Sequence, residues 1–265
     1  VKLAKEITSR KERVTLVAVG GDGTVNEILN GIQDFSKVTF AYIPTGSSND
    51  FARALGLPSD TAEAVRSILH PSYFRRIDLG CAQLGERTQY FAVSCGCGYD
   101  ASICHAAFSS HVKNFLNRLR LGKLTYIATG IKELILCKPA PMTITLDGGR
   151  TLRFRRTFFA SAMNCRFEGG GVRFCPSAQP DDGFLDLCVV EGPSRLLIIP
   201  LFLLSLLGIH GILPGVHLLR ARSMEFQSSR RLAVHTDGEP YFLKGKMQIR
   251  CIPDALYVIA RSAEK

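Results

Sequence analysis

Gly20-Gly21-Asp22-Gly23-Thr24 follows the apolar run Val14 to Val19 and opens a helical pattern, Val25 to Ile32. After a second apolar run comes Pro44-Thr45-Gly46-Ser47-Ser48-Asn49-Asp50-Phe51-Ala52-Arg53. Strand, glycine loop and helix start, in that order, present backbone N–H groups to a phosphate. Glycines let the backbone turn sharply and approach an anion with no Cβ in the way. Gly20, Gly21, Asp22, Gly23, Thr24, Val25 and Asn26 form one side of such a cradle, with Ser47 and Asn49 opposite. Asp22 repels a phosphate unless it acts through a metal ion, water or a cation. By itself a GGxG is a tight turn; a second polar loop of the same kind points to a crevice at the carboxyl edge of an open α/β sheet.

Other acids stand where chemistry is possible. Asp237-Gly238-Glu239-Pro240 follows the strand-like Leu232 to His235, and a carboxylate at such a loop tip can reach into a cleft. Spacing alone makes it an ordinary hairpin turn. Asp50 and Arg53 are three apart in a first helical turn and can pair. Asp181-Asp182-Gly183 reads as a turn between strands. His105, His111 and His235 show no ligand spacing with another His or Cys and read as ordinary side chains.

The two loops resemble the catalytic domain of the diacylglycerol kinase family, in its bacterial soluble lipid kinase branch. GGDG loops also occur in NAD kinases and phosphofructokinases; PTGSSNDFARALGLP is far more specific. Ile77-Asp78-Leu79-Gly80, Gly96 to Ala101, Asp181-Asp182-Gly183 and Asp237-Gly238-Glu239-Pro240 continue the likeness along nearly the whole chain. The resemblance implies an ATP- and Mg²⁺-dependent kinase acting on a lipid hydroxyl, diacylglycerol first, or another lipid alcohol such as a sphingoid base, ceramide or phosphatidylglycerol. An NAD kinase-like enzyme and an inactive lipid- or nucleotide-binding module are the alternatives from other classes. It implies Glu239 as general base, with Asp237 structural. It also implies a water- and magnesium-linked network of Asp22, Asp50, Arg53 and Asp78 near the phosphates, and Ser47 where Thr is common. Lys123 matches, loosely, a lysine facing the cleft. A structural Mg²⁺ away from the chemistry would take the Asp182 side chain and the carbonyls of Gln179 and Phe184, with Gln179 leaving one charge fewer than in relatives with Asp there.

The elements that would position these groups change character along the chain. A helix end at 2–13 is followed by strands at 14–19, 38–43 and 73–79 and helices at 24–32, 49–56 and 60–69. This alternation predicts an α/β nucleotide-binding domain over 1–76. Residues 77–265 carry alternating strands at 90–93, 142–146, 151–163, 184–190, 216–226, 231–236, 246–252 and 255–260, interrupted by a helical stretch at 101–137. They predict a larger, β-rich antiparallel sandwich; the resemblance implies the same two domains, with the active site in the cleft between them. Relatives usually begin with a strand and a turn before the first helix, and this chain starts inside that helix.

The chain has 265 residues, with 46% hydrophobic and 21% charged, a globular composition. Nine cysteines without paired ligand spacing suggest a reduced, cytosolic chain rather than a zinc site. Cys95 and Cys97 are expected on one face of a strand. The net charge is +10, of which residues 1–76 hold +2. Residues 111–156 carry ten basic side chains, Arg153, Arg155 and Arg156 among them, against Glu133 and Asp147. No nucleic-acid motif accompanies them, so an anionic membrane surface is the expected partner. Leu196 to Ile209 is too short to span a bilayer, which needs ~20 apolar residues. It reads as a buried helix or as an interfacial one, which suits a cytoplasmic, peripherally membrane-associated protein. A homodimer is compatible with all of this.

Overall fold

Residues 1–9, 12–109, 138–192 and 197–260 are described by the computed structural model. Helical periodicity near the N-terminus gives α1 (Lys2–Thr8), α2 (Asp22–Leu29), α3 (Asp50–Leu55) and α4 (Thr61–Leu69), set between β1 (Val14–Gly20), β2 (Val38–Pro44) and β3 (Tyr73–Leu84). Asp60 begins α4 as its cap, its carboxylate accepting the Glu63 N–H at 2.8 Å. Then follow β4 (Arg87–Phe91), β5 (Ser94–Gly98), α5 (Tyr99–Ser109), β6 (Ala140–Leu146), β7 (Arg150–Met163), β8 (Leu185–Glu191), α6 (Ile198–Leu207), β9 (Val216–Ala221), β10 (Ser223–Thr236) and β11 (Glu239–Ala260). The helical stretch expected at 101–137 is seen as α5 to Ser109; its remainder, with His111 and Lys123, lies outside the described residues.

β1 and β2 pair in parallel, in register from Val14↔Val38 to Gly20↔Pro44, so both end at the same edge. β2 is buried along nearly its whole length, as a strand covered on both faces must be. The other sheet pairings of the described residues are antiparallel, apart from one. The end of β11 returns to the first domain, where Tyr257 and Val258 pair in parallel with Thr39 and Phe40. The chain's last strand therefore completes the first domain's sheet, and a division at residue 76 falls inside β3.

β3 and β11 are long because each serves both layers. Their ladder breaks between Ile252 and Leu256, beside Pro253 and Asp254. Proline cannot donate to a ladder, and Asp254 has φ 50, so a bulge turns the pair from one layer to the next. A second bulge lies between Ser228 and Leu232 in β10. Ser228-Ser229-Arg230-Arg231 and Pro253-Asp254 resemble turns in sequence. The pairing continues past both, so the strands expected separately at 231–236, 246–252 and 255–260 are parts of β10 and β11.

The core divides accordingly. One apolar cluster joins Leu16, Ala18, Val25, Phe40 and Phe51 to Leu256 and Val258 of β11; a second fills the sandwich around Ile144, Leu187, Phe226 and Met247. Cys95 and Cys97 both point into the second cluster, on one face of β5. All eight described cysteines are free.

Candidate active site

The glycine loops lean on each other before they lean on any ligand. The Gly20 carbonyl accepts the N–H groups of Thr45 (2.8 Å) and Gly46 (3.1 Å) and the Tyr42 hydroxyl (3.2 Å). A Cβ on Gly46 would lie 2.5 Å from the Gly21 Cα, so glycine at this crossing is a condition of loop contact. α2 begins at Asp22, with Gly21 as N-cap, two residues before the start expected at 24. Gly23 therefore sits in a first helical turn, whose N–H groups lack intrahelical partners and suit an anion. It needs no special backbone freedom; its missing side chain instead leaves space in front of the helix.

Asp22 spans the two loops. Its carboxylate accepts the N–H groups of Asp50 (3.0 Å) and Phe51 (3.1 Å), capping α3 from 28 residues away. Asn49, at φ 51, accepts the Gly46 N–H and the Tyr42 hydroxyl through Oδ1 and donates to the Gly46 carbonyl, so it shapes its own loop. Ser47 is exposed on the second loop. Val25 is packed in the core, and the Asn26 amide donates to the Tyr90 carbonyl and to Asp237. In the predicted cradle, the side chains of Val25 and Asn26 thus face inward.

Asp237 and Gly238 form the two-residue turn between β10 and β11, with φ 48 and 87 and Thr236 opposite Glu239. Asp-Gly suits a turn that needs two positive φ values. The Asp237 carboxylate is surrounded by donors: Val93 and Ser94 N–H on Oδ1, Ala92 N–H and the Asn26 amide on Oδ2, at 2.8–3.1 Å. Enclosure pushes its pKa up to about 6, and these donors pull the other way. This carboxylate ties the hairpin tip to α2 and to the start of β5. The consequence is the position of Glu239: its Oε1 lies 3.7 Å from where a Cβ on Gly23 would stand. Residues 216 apart in sequence, the candidate base and the first turn behind the glycine loop, face each other.

Asp50 is buried, accepts the Gly170 N–H at 2.7 Å and pairs with Arg53 at 2.9 Å. Burial raises its pKa to about 6; the Gly170 N–H and Arg53 pull the other way, and Asp22 adds repulsion. Arg53 lies against Gly171 and over the Phe167 ring. Gly169, Gly170 and Gly171 all have positive φ, so this segment bends where other residues would strain. No motif marks this segment as part of a site; its sequence signal is the run of three consecutive glycines.

Asp78 has other direct partners. Its carboxylate accepts the N–H groups of Gly183 (2.6 Å) and, in the β3–β11 bulge, of Asp254 (2.8 Å). The contacts thus join Asp22, Asp50 and Arg53, while Asp78 stitches the bulge to the 180–184 turn. The physical reason is the break in the ladder, which frees the Asp254 N–H and leaves it to a side chain. In that turn Asp182 accepts the Phe184 N–H and pairs with Arg220, and Arg220 and Arg222 stack on the Phe184 ring. Gln179 is exposed. Asp186 is raised to about 6 by burial, and its neighbour Asp182 adds to the rise while Arg220 opposes it.

His235 is no ordinary side chain. It is buried, with Nε2 at 3.1 Å from Glu168 and 3.3 Å from Asp100. These three residues come from separate elements, so no local spacing announces them.

A parallel pair of strands ending in interlocked glycine loops, with a carboxylate brought over them by an antiparallel sandwich, defines a phosphotransferase architecture. Residues 1–82 match the diacylglycerol kinase catalytic domain, and residues 94–260 match the YegS C-terminal NAD kinase beta sandwich-like domain. The chain belongs to this diacylglycerol kinase family, in its YegS-like branch, and is a lipid kinase. A protein of Chromohalobacter salexigens named a probable lipid kinase YegS-like is 32% identical over 264 residues, covering 98% of this chain and 80% of that one. A diacylglycerol kinase of Mycobacterium tuberculosis is 29% identical over 247 residues, covering 92% and 76%. The crystal structure of a diacylglycerol kinase from Bacillus anthracis str. Sterne shares the fold, with a TM-score of 0.69 at 23% identity over 99% of this chain and 81% of that one.

Proposed function

We propose that this lipid kinase moves the γ-phosphoryl group of ATP onto the free hydroxyl of diacylglycerol, giving phosphatidic acid and ADP. The observation that carries the reading is the approach of Glu239 to Gly23 across the cleft. The γ-phosphate at the first turn of α2 would lie beside a carboxylate able to take the hydroxyl proton as the oxygen attacks phosphorus and the bond to the β-phosphate oxygen breaks. Positioning falls to the interlocked loops and to the Asp22 cap. Mg²⁺ held by the phosphates would neutralise developing charge, with Asp22 and Asp50 the nearby acids. Radiolabelled ATP incubated with extracted membrane lipids, with the product identified by mass spectrometry, tests the substrate. Label in a sphingoid base, ceramide or phosphatidylglycerol instead of diacylglycerol would replace it.

A second Mg²⁺ fits the 179–184 turn chemically. Burial raises the pKa of Asp78 and of Asp186, the charge of Asp182 adds to both, and Arg220 opposes the rise at Asp186; hard oxygen ligands of this kind suit Mg²⁺. Asp182, with the carbonyls of Gln179 and Phe184, would hold it, and Arg220 would share the Asp182 carboxylate. A cation bound only by the folded state raises the melting temperature by mass action. Millimolar Mg²⁺ is therefore expected to raise the melting temperature of the wild type and to leave that of Asp182→Ala unmoved, while kcat at saturating Mg-ATP changes little. No shift in the wild type would remove the structural site.

The lipid must come from a bilayer. Among the described residues, no helix is long and apolar enough to cross one. α6 instead buries Ile198, Leu201 and Ser205 and exposes Ile199, Phe202, Leu203, Leu206 and Leu207. One apolar stripe thus packs inward and another faces outward, leaving an exposed apolar surface that can meet a membrane. Arg155 and Arg156 are exposed beside Glu191 and Gly192. Each basic group near an anionic surface contributes roughly 1 kcal/mol, and salt screens it. Reversing Arg153, Arg155 and Arg156 to Glu should weaken sedimentation with phosphatidylglycerol vesicles by at least about tenfold, yet spare activity on a short-chain soluble diacylglycerol. Equal binding of the wild type to neutral and anionic vesicles at all salt concentrations would mean that these arginines are only a solvated face.

A further inference from the structure

His235 has two neighbours of opposite kind. On one side Nε2 faces the carboxylates of Glu168 and Asp100. On the other, the Gly238 N–H donates to Nδ1 at 3.2 Å. The peptide so held belongs to the turn that carries Glu239, one residue on. The arrangement is built: Glu168 also accepts the Ser161 hydroxyl, Asp100 accepts the Ala101 N–H, and a Cβ on Gly96 would run into both the Asp100 carboxylate and the His235 ring.

Two other states of the cluster conflict with this donor. A metal ion on Nε2 would need the ring proton on Nδ1, where the Gly238 N–H already points. A charged ring would also put a proton there. Burial opposes that charge, while Cys104 and Glu168, with the hydrogen bonds to Asp100 and Glu168, favour it and raise the pKa well above the usual imidazole range; against it stands the Gly238 N–H aimed at Nδ1. The Gly238 N–H accommodates only the neutral ring with its proton on Nε2, donated to the acids.

We infer that His235 is a positioning residue for Glu239: the Asp100–Glu168 pair fixes its tautomer, and its Nδ1 fixes the Gly238 peptide and so the placement of the carboxylate over Gly23. The inference rests on the reading of Glu239 as the base. Asp237 anchors one corner of the turn to residues 92–94, and His235 anchors the other from beneath. With both corners held, the two-residue turn has little freedom to move its exit strand. A displacement of about 1 Å at a reacting group can cost on the order of 10²-fold in rate.

Two isosteres separate the ring's two ends. In His235→Asn the amide oxygen can take the place of Nδ1 and still accept the Gly238 N–H. In His235→Gln the amide reaches the place of Nε2 and leaves Gly238 unpaired. The expected result is a kcat about tenfold or more lower in the Gln variant, with the KM for ATP within about twofold, and a kcat within about threefold of wild type in the Asn variant. Glu168→Gln, which packs alike but loosens the tautomer, is expected to lower kcat severalfold at unchanged KM. Glu239→Gln is measured alongside. If it retains activity, the base assignment itself fails. If it is inactive while all three other variants keep wild-type kcat, the positioning inference alone fails. Equal losses in the Asn and Gln variants that track their melting temperatures would overturn it, since that is a packing effect. One equivalent of zinc in the purified wild type, absent from both His235 variants, would overturn it in favour of a metal site.

Discussion

Glu239→Gln is expected to lower kcat by about 10²–10⁴-fold while calorimetry finds ATP bound with nearly wild-type affinity. The amide keeps the size of the side chain and its place at the exit of the Asp237–Gly238 turn, so the fold and the loops should be untouched. What is lost is a group that can take the proton of the attacking hydroxyl. The effect belongs in kcat because proton removal occurs only as the oxygen attacks. The geometry makes the test sharp: the carboxylate lies 3.7 Å from the Cβ position of Gly23, at the helix turn where the phosphate would sit. Kinetics within about threefold of wild type would end the assignment.

Gly46→Val is expected to weaken ATP binding by on the order of 10²-fold. The added Cβ would meet the Gly21 Cα, a backbone atom with little room to give, at 2.5 Å, and the hydrogen-bonded Asn49 Oδ1 at 2.8 Å. The loops must then part, and the N–H groups they present part with them. Asp22→Ala should act on the same contact from the other side. It removes the cap on α3 at a cost of about 1 kcal/mol, leaves the protein folded by circular dichroism, and lowers ATP affinity. Gly23→Val is a different experiment: its side chain would fill the space in front of Glu239, so transfer should fall further than nucleotide affinity does. Unchanged affinity in Gly46→Val and Asp22→Ala would reduce the paired loops to plain turns.

The near side of the site was legible because its determinants are local. A glycine run after an apolar strand, repeated once, announces parallel strands and a crevice at their ends, and β1 and β2 do end together at Gly20 and Pro44. Asp-Gly before Glu239 announces a tight turn, and both turn residues have positive φ. The alternating pattern after residue 77 announced the antiparallel sandwich. Period, turn chemistry and glycine placement are properties of short windows, and a sequence displays them directly.

What the tertiary structure decided were the partners. Folding gave the Asp22 oxygens to the α3 amides, and it added the Gly170 N–H to Asp50, whose pairing with Arg53 the spacing already shows. Asp78, expected beside them, went to the bulge at Asp254, because a bulge frees an N–H that only a side chain can reach. β11 crosses both layers although Pro253 reads as a stop, since a ladder can resume past one residue that cannot donate. His235 carries no spacing signal at all, as its partners Asp100 and Glu168 stand 135 and 67 positions away. A hydrogen bond is a contract between two atoms within about 3 Å, and only the closed chain determines which atoms come that near.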